Sequence, residues 1–115
     1  MPARRGRTYD AQQKARWEAM IDEATADCHD EDEACAGMLA TLEDRLAFPF
    51  RAEVLGETVE VIGLDEERSS QRRGVVAKVR KRGRQYTIAL ADLEASEQDT
   101  ETAEWLAAYR YWLGK

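Results

Sequence analysis

Between residues 10 and 47 the apolar side chains recur every three or four positions, which is the spacing of an amphipathic helix. One stripe runs through "WEAMIDEATADC" and a second through "CAGMLATLEDRL", each with charged residues on the opposite side. Asp10 is suited to cap the first helix, and Pro49 prevents the second from continuing. We therefore predict a helix after Asp10, a second helix over 31–47, and their pairing as a helical hairpin.

After Pro49 the hydrophobic period changes to two, which is typical of β strands. Strands are predicted in "FRAEV", "ETVEVIGL", "VVAKVR" and "QYTIAL", and "DEERSSQRRG" is predicted to be a polar loop. Gly83 can supply the positive φ that a tight turn between the last two of these strands requires. The apolar stripe in "WLAAYRYWLG" then predicts a C-terminal helix over 99–113.

Together these elements predict an α+β fold with a β core over 50–93. Four or five short antiparallel strands are too few for a two-sheet sandwich. We therefore expect a small SH3-like, partly open barrel or curled sheet, with the helical hairpin (10–47) and the C-terminal helix packed on it. A single domain is expected over 9–115, preceded by a disordered basic tail at 1–8.

Composition narrows the class of protein further. The chain has 115 residues, of which 43% are hydrophobic and 35% charged, so one soluble domain without a membrane segment is expected. Its formal net charge of −6 argues against a general nucleic-acid binder. No apolar stretch of signal-peptide length follows the first residues, so we expect a cytoplasmic location. In that reducing compartment Cys28 and Cys35 are expected to be thiols, not a disulfide.

The stretch "DCHDEDEAC", residues 27–35, gathers carboxylates between two cysteines around the one histidine of the chain. A metal site, a disulfide-closed loop and the acidic start of a helix are the competing interpretations. Asp30 as an N-cap with Glu33 three residues later forms a capping box, and acidic residues in the first turn gain from the helix dipole. The residues alone favour a capped helix start over a metal site.

If the stretch does hold a metal, the donor types indicate calcium. Zinc is disfavoured because two cysteines and one histidine match no common zinc spacing, whereas carboxylate oxygens suit calcium. An EF-hand is excluded, since its sixth position, counted from Asp30, is Cys35 in place of glycine. The candidate ligands lie at the two ends of the second helix and in two stretches, "LDEER" and "LADLE", that can come across to it. They are Asp27, Asp30, Glu31, Glu33, Glu43, Asp44, Asp65 and Asp92.

A run of basic residues on the predicted hairpin at 72–84 supports an alternative function. No acidic residue interrupts it, and a basic hairpin can contact phosphates or an acidic partner. The same charges can also simply balance the acidic helices. The candidate residues are Arg73, Lys78, Arg80, Lys81, Arg82 and Arg84.

Nothing in the sequence favours an enzyme. His29 has no evident catalytic partner, and the neighbouring carboxylates disfavour a reactive thiolate at Cys28. Gly63, Gly74 and Gly83 are spaced as boundaries of strands and do not form a phosphate-binding loop. We therefore expect a binding protein without catalytic activity.

Several segments, "LEDRLAFPFRA" above all, together with "VEVIGL" and the terminal "WLAAYRYWLG", resemble the small bacterial calcium-binding proteins of the CcbP type over roughly residues 20–114. The resemblance implies non-enzymatic calcium binding on a compact β core flanked by helices, with a role in buffering or sensing calcium. It implies as site residues Glu43 and Asp44 of "LED" and the acidic residues of "DCHDEDE". The expected partners are therefore calcium ions and possible protein partners, with nucleic acid as the weaker alternative.

Overall fold

The computed structural model describes residues 10–114, so the predicted basic tail at 1–8 lies outside the described residues. Within that range the chain forms three α helices, five β strands and a short 3-10 turn at Leu90–Asp92. The helices are α1 (Ala11–Ala24), α2 (Glu31–Arg45) and α3 (Glu101–Leu113). The strands are β1 (Phe50–Val54), β2 (Glu57–Ser70), β3 (Gly74–Lys81), β4 (Arg84–Ala89) and β5 (Glu94–Ala95).

The five strands form one antiparallel sheet in the order β4-β3-β2-β1-β5. The predicted α+β class is confirmed. The sheet does not close, because β4 and the two-residue β5 lie at opposite edges and do not pair with each other. An SH3-like barrel is therefore not confirmed, and the architecture is an open sheet with helices packed on it.

The predicted polar loop "DEERSSQRRG" is wrong over most of its length, because β2 continues to Ser70. The pairing of β2 with β3 shifts in register between Asp65 and Ser70. Hydrogen bonds that involve nearby side chains keep this exposed polar segment extended. The Asp65 carboxylate accepts a hydrogen bond from the Arg68 N–H (3.1 Å), and the Asp65 carbonyl accepts one from the Ser69 hydroxyl (2.6 Å). The Val76 N–H on β3 in turn donates to Ser69 Oγ (2.9 Å), which joins the segment to its neighbouring strand.

The other element boundaries agree closely with the pattern of apolar residues. Helix α2 ends at Arg45, two residues earlier than predicted, because Leu46 is already extended. Helix α3 begins at Glu101, after the Thr100 hydroxyl caps it by accepting from the Ala103 N–H (3.0 Å). The turn between β3 and β4 has positive φ at both Arg82 (53°) and Gly83 (77°), which matches the twist of a tight hairpin.

The hydrophobic core lies between one face of the sheet and the helices. Residues from β1, β2 and β3 pack there against α2 and α3, and Met38, Leu42 and Leu106 are at most 1% exposed. Trp105 and Tyr109 of the predicted aromatic stripe are also buried, whereas Leu113 is exposed. No helix within residues 10–114 is long and apolar enough to cross a membrane.

The helices contact each other through a few specific bonds. Helix α1 lies against α3, where the Trp17 and Tyr111 rings are 5.5 Å apart and Glu104 accepts a hydrogen bond from the Trp17 indole (2.9 Å). Helix α1 approaches α2 so closely that a Cβ at Gly37 would lie 2.7 Å from the Ala24 carbonyl oxygen. That contact requires glycine on α2.

Arg45 connects all three helices. Its guanidinium forms ion pairs with Glu23 on α1 (2.5 Å) and Glu101 on α3 (3.3 Å), and it lies 5.8 Å from the centre of the Trp105 ring. The end of α2 therefore contacts both other helices.

A buried hydrogen bond attaches α3 to the sheet. The Tyr109 hydroxyl accepts from the Val75 N–H (2.8 Å), and burial is the main cause that raises the pKa of this hydroxyl. The neighbouring Gly74 has a φ of 78°, and a Cβ there would lie 2.9 Å from the Tyr109 oxygen. Only glycine satisfies both the positive φ and the close approach.

We expect Gly74→Ala to destabilise the fold more than Gly83→Ala. Both positions have nearly the same positive φ, but a Cβ at Gly83 meets nothing within 4 Å. Gly83→Ala should cost about 1 kcal/mol of backbone strain, and Gly74→Ala roughly 1–3 kcal/mol more because it also disrupts the buried bond. Urea unfolding measures both values, and equal losses would contradict the proposed importance of the Tyr109 contact.

Candidate metal centre

The acidic stretch before α2 forms a well-capped helix start. Asp30 is the N-cap, and its carboxylate accepts a hydrogen bond from the Glu33 N–H (2.8 Å), as predicted. The reciprocal half of the predicted capping box is wrong by one residue, because the Glu33 carboxylate accepts from the His29 N–H (2.6 Å) and not from Asp30. The acidic side chains therefore satisfy backbone donors that a helix start leaves free.

Two further contacts involve the same helix start. The Glu31 carboxylate accepts a hydrogen bond from the Gln71 amide, which comes from the turn between β2 and β3. The Cys28 thiol donates to the Glu33 carbonyl oxygen (3.1 Å), and Asp27 is exposed. Three of the four predicted ligands at this end, Asp30, Glu31 and Glu33, thus have structural roles within the fold.

Both cysteines are free thiols. Burial raises the pKa of the Cys35 thiol above its ordinary value, and the nearby Asp32 carboxylate raises it further. A higher pKa leaves less thiolate at neutral pH, so Cys35 is a weak nucleophile and a weak metal ligand there.

The clearest pairing of carboxylates occurs between α2 and β2. Glu66, which belongs to the stretch "LDEER" that was expected to come across to this end of α2, lies near enough to Glu43 to raise its pKa. Partial burial raises the pKa of Glu43, repulsion from Glu66 and the hydrogen bond between the two carboxyl groups raise it further, and the Lys78 ammonium lowers it. Two like charges are therefore held together by the packing of two different elements.

Three other predicted ligands lie elsewhere. Asp44 is exposed, with an oxygen 3.8 Å from the Arg45 guanidinium. Asp65 forms an ion pair with Arg68 (3.2 Å) in addition to its bond to the Arg68 N–H, so its carboxylate is used to shape β2. Asp92 lines a shallow pocket of about 240 Å³ with Glu53 and Glu94, which face each other across β1 and β5.

The structure thus separates the eight candidate ligands into small groups. Within residues 10–114, no set of three or more acidic, histidine or cysteine side chains is arranged to hold a metal ion. Asp65 of this stretch was a predicted ligand and Glu66 was not, although Glu66 is the residue that lies near Glu43. Glu66 follows the buried Leu64 by two positions, but the polar run from Asp65 to Arg68 shows no alternation and predicts a loop, so the residue pattern contains no signal for it.

The basic hairpin is partly neutralised by acidic residues on the adjacent strand. Arg80 pairs with Glu60, its register partner on β2 (2.6 Å), and Lys81 pairs with Glu57. Lys78 lies near enough to Glu43 to lower its pKa. Arg82 and Arg84 are exposed near the tip of the hairpin, and Arg73 is exposed in the preceding turn.

The protein is thus an open antiparallel sheet with helices packed on one face, in which two carboxylates approach each other between α2 and β2. Comparison with known families identifies its class. The profile of the CcbP family, described as calcium binding, matches residues 15–113. The chain therefore belongs to the CcbP family of calcium-binding proteins.

Solved structures give the same relationship. The crystal structure of Anabaena CcbP is similar with a TM-score of 0.77 and 28% sequence identity, over 96% of this chain and 95% of that one. A calcium-binding protein in its calcium-binding form is similar with a TM-score of 0.74 and 27% identity, over 93% and 96% of the two chains. Among curated proteins, none matches the sequence significantly.

Two substitutions at Asp30 separate its capping role from its charge. We expect Asp30→Asn to leave stability nearly unchanged, because the amide oxygen can still accept from the Glu33 N–H. Asp30→Ala should cost roughly 0.5–2 kcal/mol, the usual loss of an N-cap. Thermal unfolding without calcium measures the difference, and equal stability of the two variants would show that the cap contributes nothing.

We expect Glu43→Gln to stabilise the calcium-free protein at pH 7. A carboxyl group whose pKa is raised by folding favours the folded state below its unfolded pKa, and this contribution is lost as the pH rises through the folded pKa. Glutamine mimics the protonated group at every pH, so the gain should appear at neutral pH and vanish in acid. Its size should be on the order of 0.2–1 kcal/mol, the range for exposed charge pairs.

A double-mutant cycle with Glu66→Gln tests whether the gain comes from this pair. Since the repulsion can be removed only once, the double variant should gain less than the sum of the two single variants. Glu67→Gln, an exposed neighbour on β2, is the matched control and should have little effect. Additive effects of Glu43→Gln and Glu66→Gln would mean that the two carboxylates do not interact.

Proposed function

We propose that this chain binds calcium without catalysing a reaction, and that Glu43 and Glu66 are the centre of the main site. The observation that supports the proposal is the meeting of these two carboxylates between α2 and β2. Membership of a calcium-binding family supports the same ion. The proposed role is that of a calcium buffer or sensor.

The chemistry of the pair suits calcium better than a transition metal. Calcium takes six to eight oxygen ligands at about 2.3–2.6 Å, and two carboxylates supply at most four of them. Backbone carbonyls and water would complete the coordination. Neither histidine nor cysteine is part of this pair, so zinc and copper have no preferred donor there.

An ion between Glu43 and Glu66 would replace a repulsion with two attractions. Without it, Glu66 raises the pKa of Glu43, and Lys78 offsets the repulsion only in part. A divalent cation would neutralise this repulsion and join α2 to β2 more firmly. Binding would therefore couple the calcium concentration to the rigidity of the helix-sheet contact, which is what a sensor requires.

The remaining candidates are proposed to contribute in different ways. Asp44 follows Glu43 on α2 and is exposed, so it is available as an additional ligand or as a source of negative potential. The helix start with Asp27, Asp30, Glu31 and Glu33 is proposed to attract cations while it keeps its capping role. Asp65 and Asp92 are not included in the main site, because Asp65 pairs with Arg68 and Asp92 lines a separate pocket.

Nucleic-acid binding is the weaker proposal for this chain. Half of the six basic candidates, Lys78, Arg80 and Lys81, lie beside a carboxylate of the same chain. Each phosphate contact by those residues would first have to break an internal attraction. At the proposed calcium site the competing internal attraction is that of Lys78 for Glu43.

We expect calcium to raise the melting temperature of the parent protein. An ion bound only by the folded state stabilises it by about 2.7 kcal/mol at a hundredfold excess over Kd. Glu43→Gln/Glu66→Gln should lose most of this gain while being at least as stable as the parent without calcium, so the loss cannot be ascribed to misfolding. Calorimetric scans with and without calcium measure both effects.

Magnesium is the matched control, because it demands a smaller octahedral site and retains its water. Asp30→Asn serves as the control variant for a charge removed at the other end of α2. If the double variant responds to calcium as strongly as the parent, the ion is not held by Glu43 and Glu66. If the parent shows neither a thermal shift nor heat of binding, the proposed function itself is wrong.

A further inference from the structure

Strand β4 forms an open edge of the sheet. Within residues 10–114 it pairs only with β3, and its first four residues, Arg84 to Thr87, are exposed. An edge strand presents backbone N–H and C=O groups that have no strand partner on the outer side. This edge can accept a further strand.

A small apolar groove continues from that edge onto the helix side of the sheet. Its volume is about 180 Å³. Tyr86 on β4 lies opposite the buried Val79, so its ring faces the same side as the core, but it remains 49% exposed. Leu55 is 96% exposed at the turn between β1 and β2. The residues that line the groove are Val54, Leu55, Glu57, Val59, Val79, Lys81, Tyr86 and Ile88.

Two basic residues, Arg82 and Arg84, follow the lining residue Lys81 in the turn and strand beside this groove, in a chain whose net charge is −6. Lys81 pairs with Glu57, but no ion pair is found for Arg82 or Arg84 within the described part of the chain. Charged edge residues commonly serve only to prevent strands from associating. That purpose does not explain why a leucine and a tyrosine are left exposed beside them.

We propose that β4 and the adjacent groove dock an extended, acidic and apolar peptide segment of a partner protein. The segment adds to the sheet as a strand next to β4. Its alternate apolar side chains enter the groove beside Tyr86 and Ile88, and acidic side chains at the end of the segment nearest the β3–β4 turn lie against Arg82 and Arg84. This is recognition by strand addition, in which backbone hydrogen bonds give affinity and side-chain pockets give specificity.

Charge complementarity favours this partner over the other candidates. A second copy of the chain paired through its own β4 would offer Arg82 and Arg84 no acidic side chain, because the strand Arg84–Ala89 contains none. A nucleic acid would use the arginines, but it has no alternating backbone donors and acceptors to match a strand edge. Neither Glu43 nor Glu66 lines the groove, so the proposal does not rest on the proposed calcium site.

The test uses a fluorescent synthetic peptide in which valine alternates with threonine and two glutamates follow at each end, so that either strand direction brings glutamate to Arg84, with binding followed by anisotropy. Arg84→Glu and Tyr86→Thr should each weaken binding by about fivefold or more, since one reverses a charge beside the groove and the other removes the exposed ring. Arg72→Glu is the matched control, because it makes the same charge change in the exposed turn at the other end of β3. It should change binding by less than about twofold.

A separate measurement tests whether the peptide pairs with the backbone of β4. Amide hydrogen exchange of β4 should slow at alternate residues when the valine-threonine peptide is present. A peptide of the same charge with proline at alternate positions cannot pair as a strand and should bind at least about tenfold more weakly. Thermal unfolding of each variant confirms that it is folded.

Other outcomes would overturn the proposal. Absence of binding at millimolar peptide, equal binding of the proline peptide, or equal binding by Arg84→Glu and Tyr86→Thr would each do so. Tighter binding of a single-stranded oligonucleotide at the same salt concentration, lost in Arg84→Glu, would assign the surface to nucleic acid instead. Concentration-dependent dimerisation abolished by Tyr86→Thr would assign it to a second copy of the chain.

Discussion

The burial of Leu42 and Leu64 between α2 and the sheet is the constraint on which the candidate calcium site depends. Leu42 is fully buried and Leu64 is 5% exposed, so α2 cannot move away from β2 without exposing both. Glu43 follows Leu42 directly, and Glu66 follows Leu64 by two positions. The core that contains both leucines therefore holds two carboxylates near each other against their repulsion.

The repulsion between Glu43 and Glu66 is a locally unfavourable interaction within an otherwise stable fold, which is called the framework here. The framework comes from the core beneath α2 and α3, from the Tyr109 bond to Val75, and from Arg45, which contacts both other helices. Functional sites commonly retain unfavourable contacts of this kind, which a ligand then relieves. In the proposed mechanism calcium is that ligand, and the energy of repulsion becomes part of the preference for the bound state.

Local features of the fold were predictable from the sequence, and long-range ones were not. The Asp30 cap and the turn at Gly83 depend on residues a few positions apart, so the sequence pattern was sufficient. The extension of β2 through a polar segment was not predicted, because Ser69 bonds to Val76 on another strand. Glu66 was missed for a similar reason, since its partner Glu43 lies on an element that only the tertiary packing brings near. The basic run was recognised, but its neutralisation by Glu60 and Glu57 depends on the register of β2 with β3.

The most direct test of the central claim is a calcium titration followed by the NMR signals of the side-chain carboxyl carbons. The account predicts that the signals of Glu43 and Glu66 shift together and saturate at the same calcium concentration, while those of Glu31 and Glu33 at the helix start change little. Saturating shifts at Glu31 and Glu33 with no change at Glu43 and Glu66 would contradict it, because the ion would then be held at the opposite end of α2.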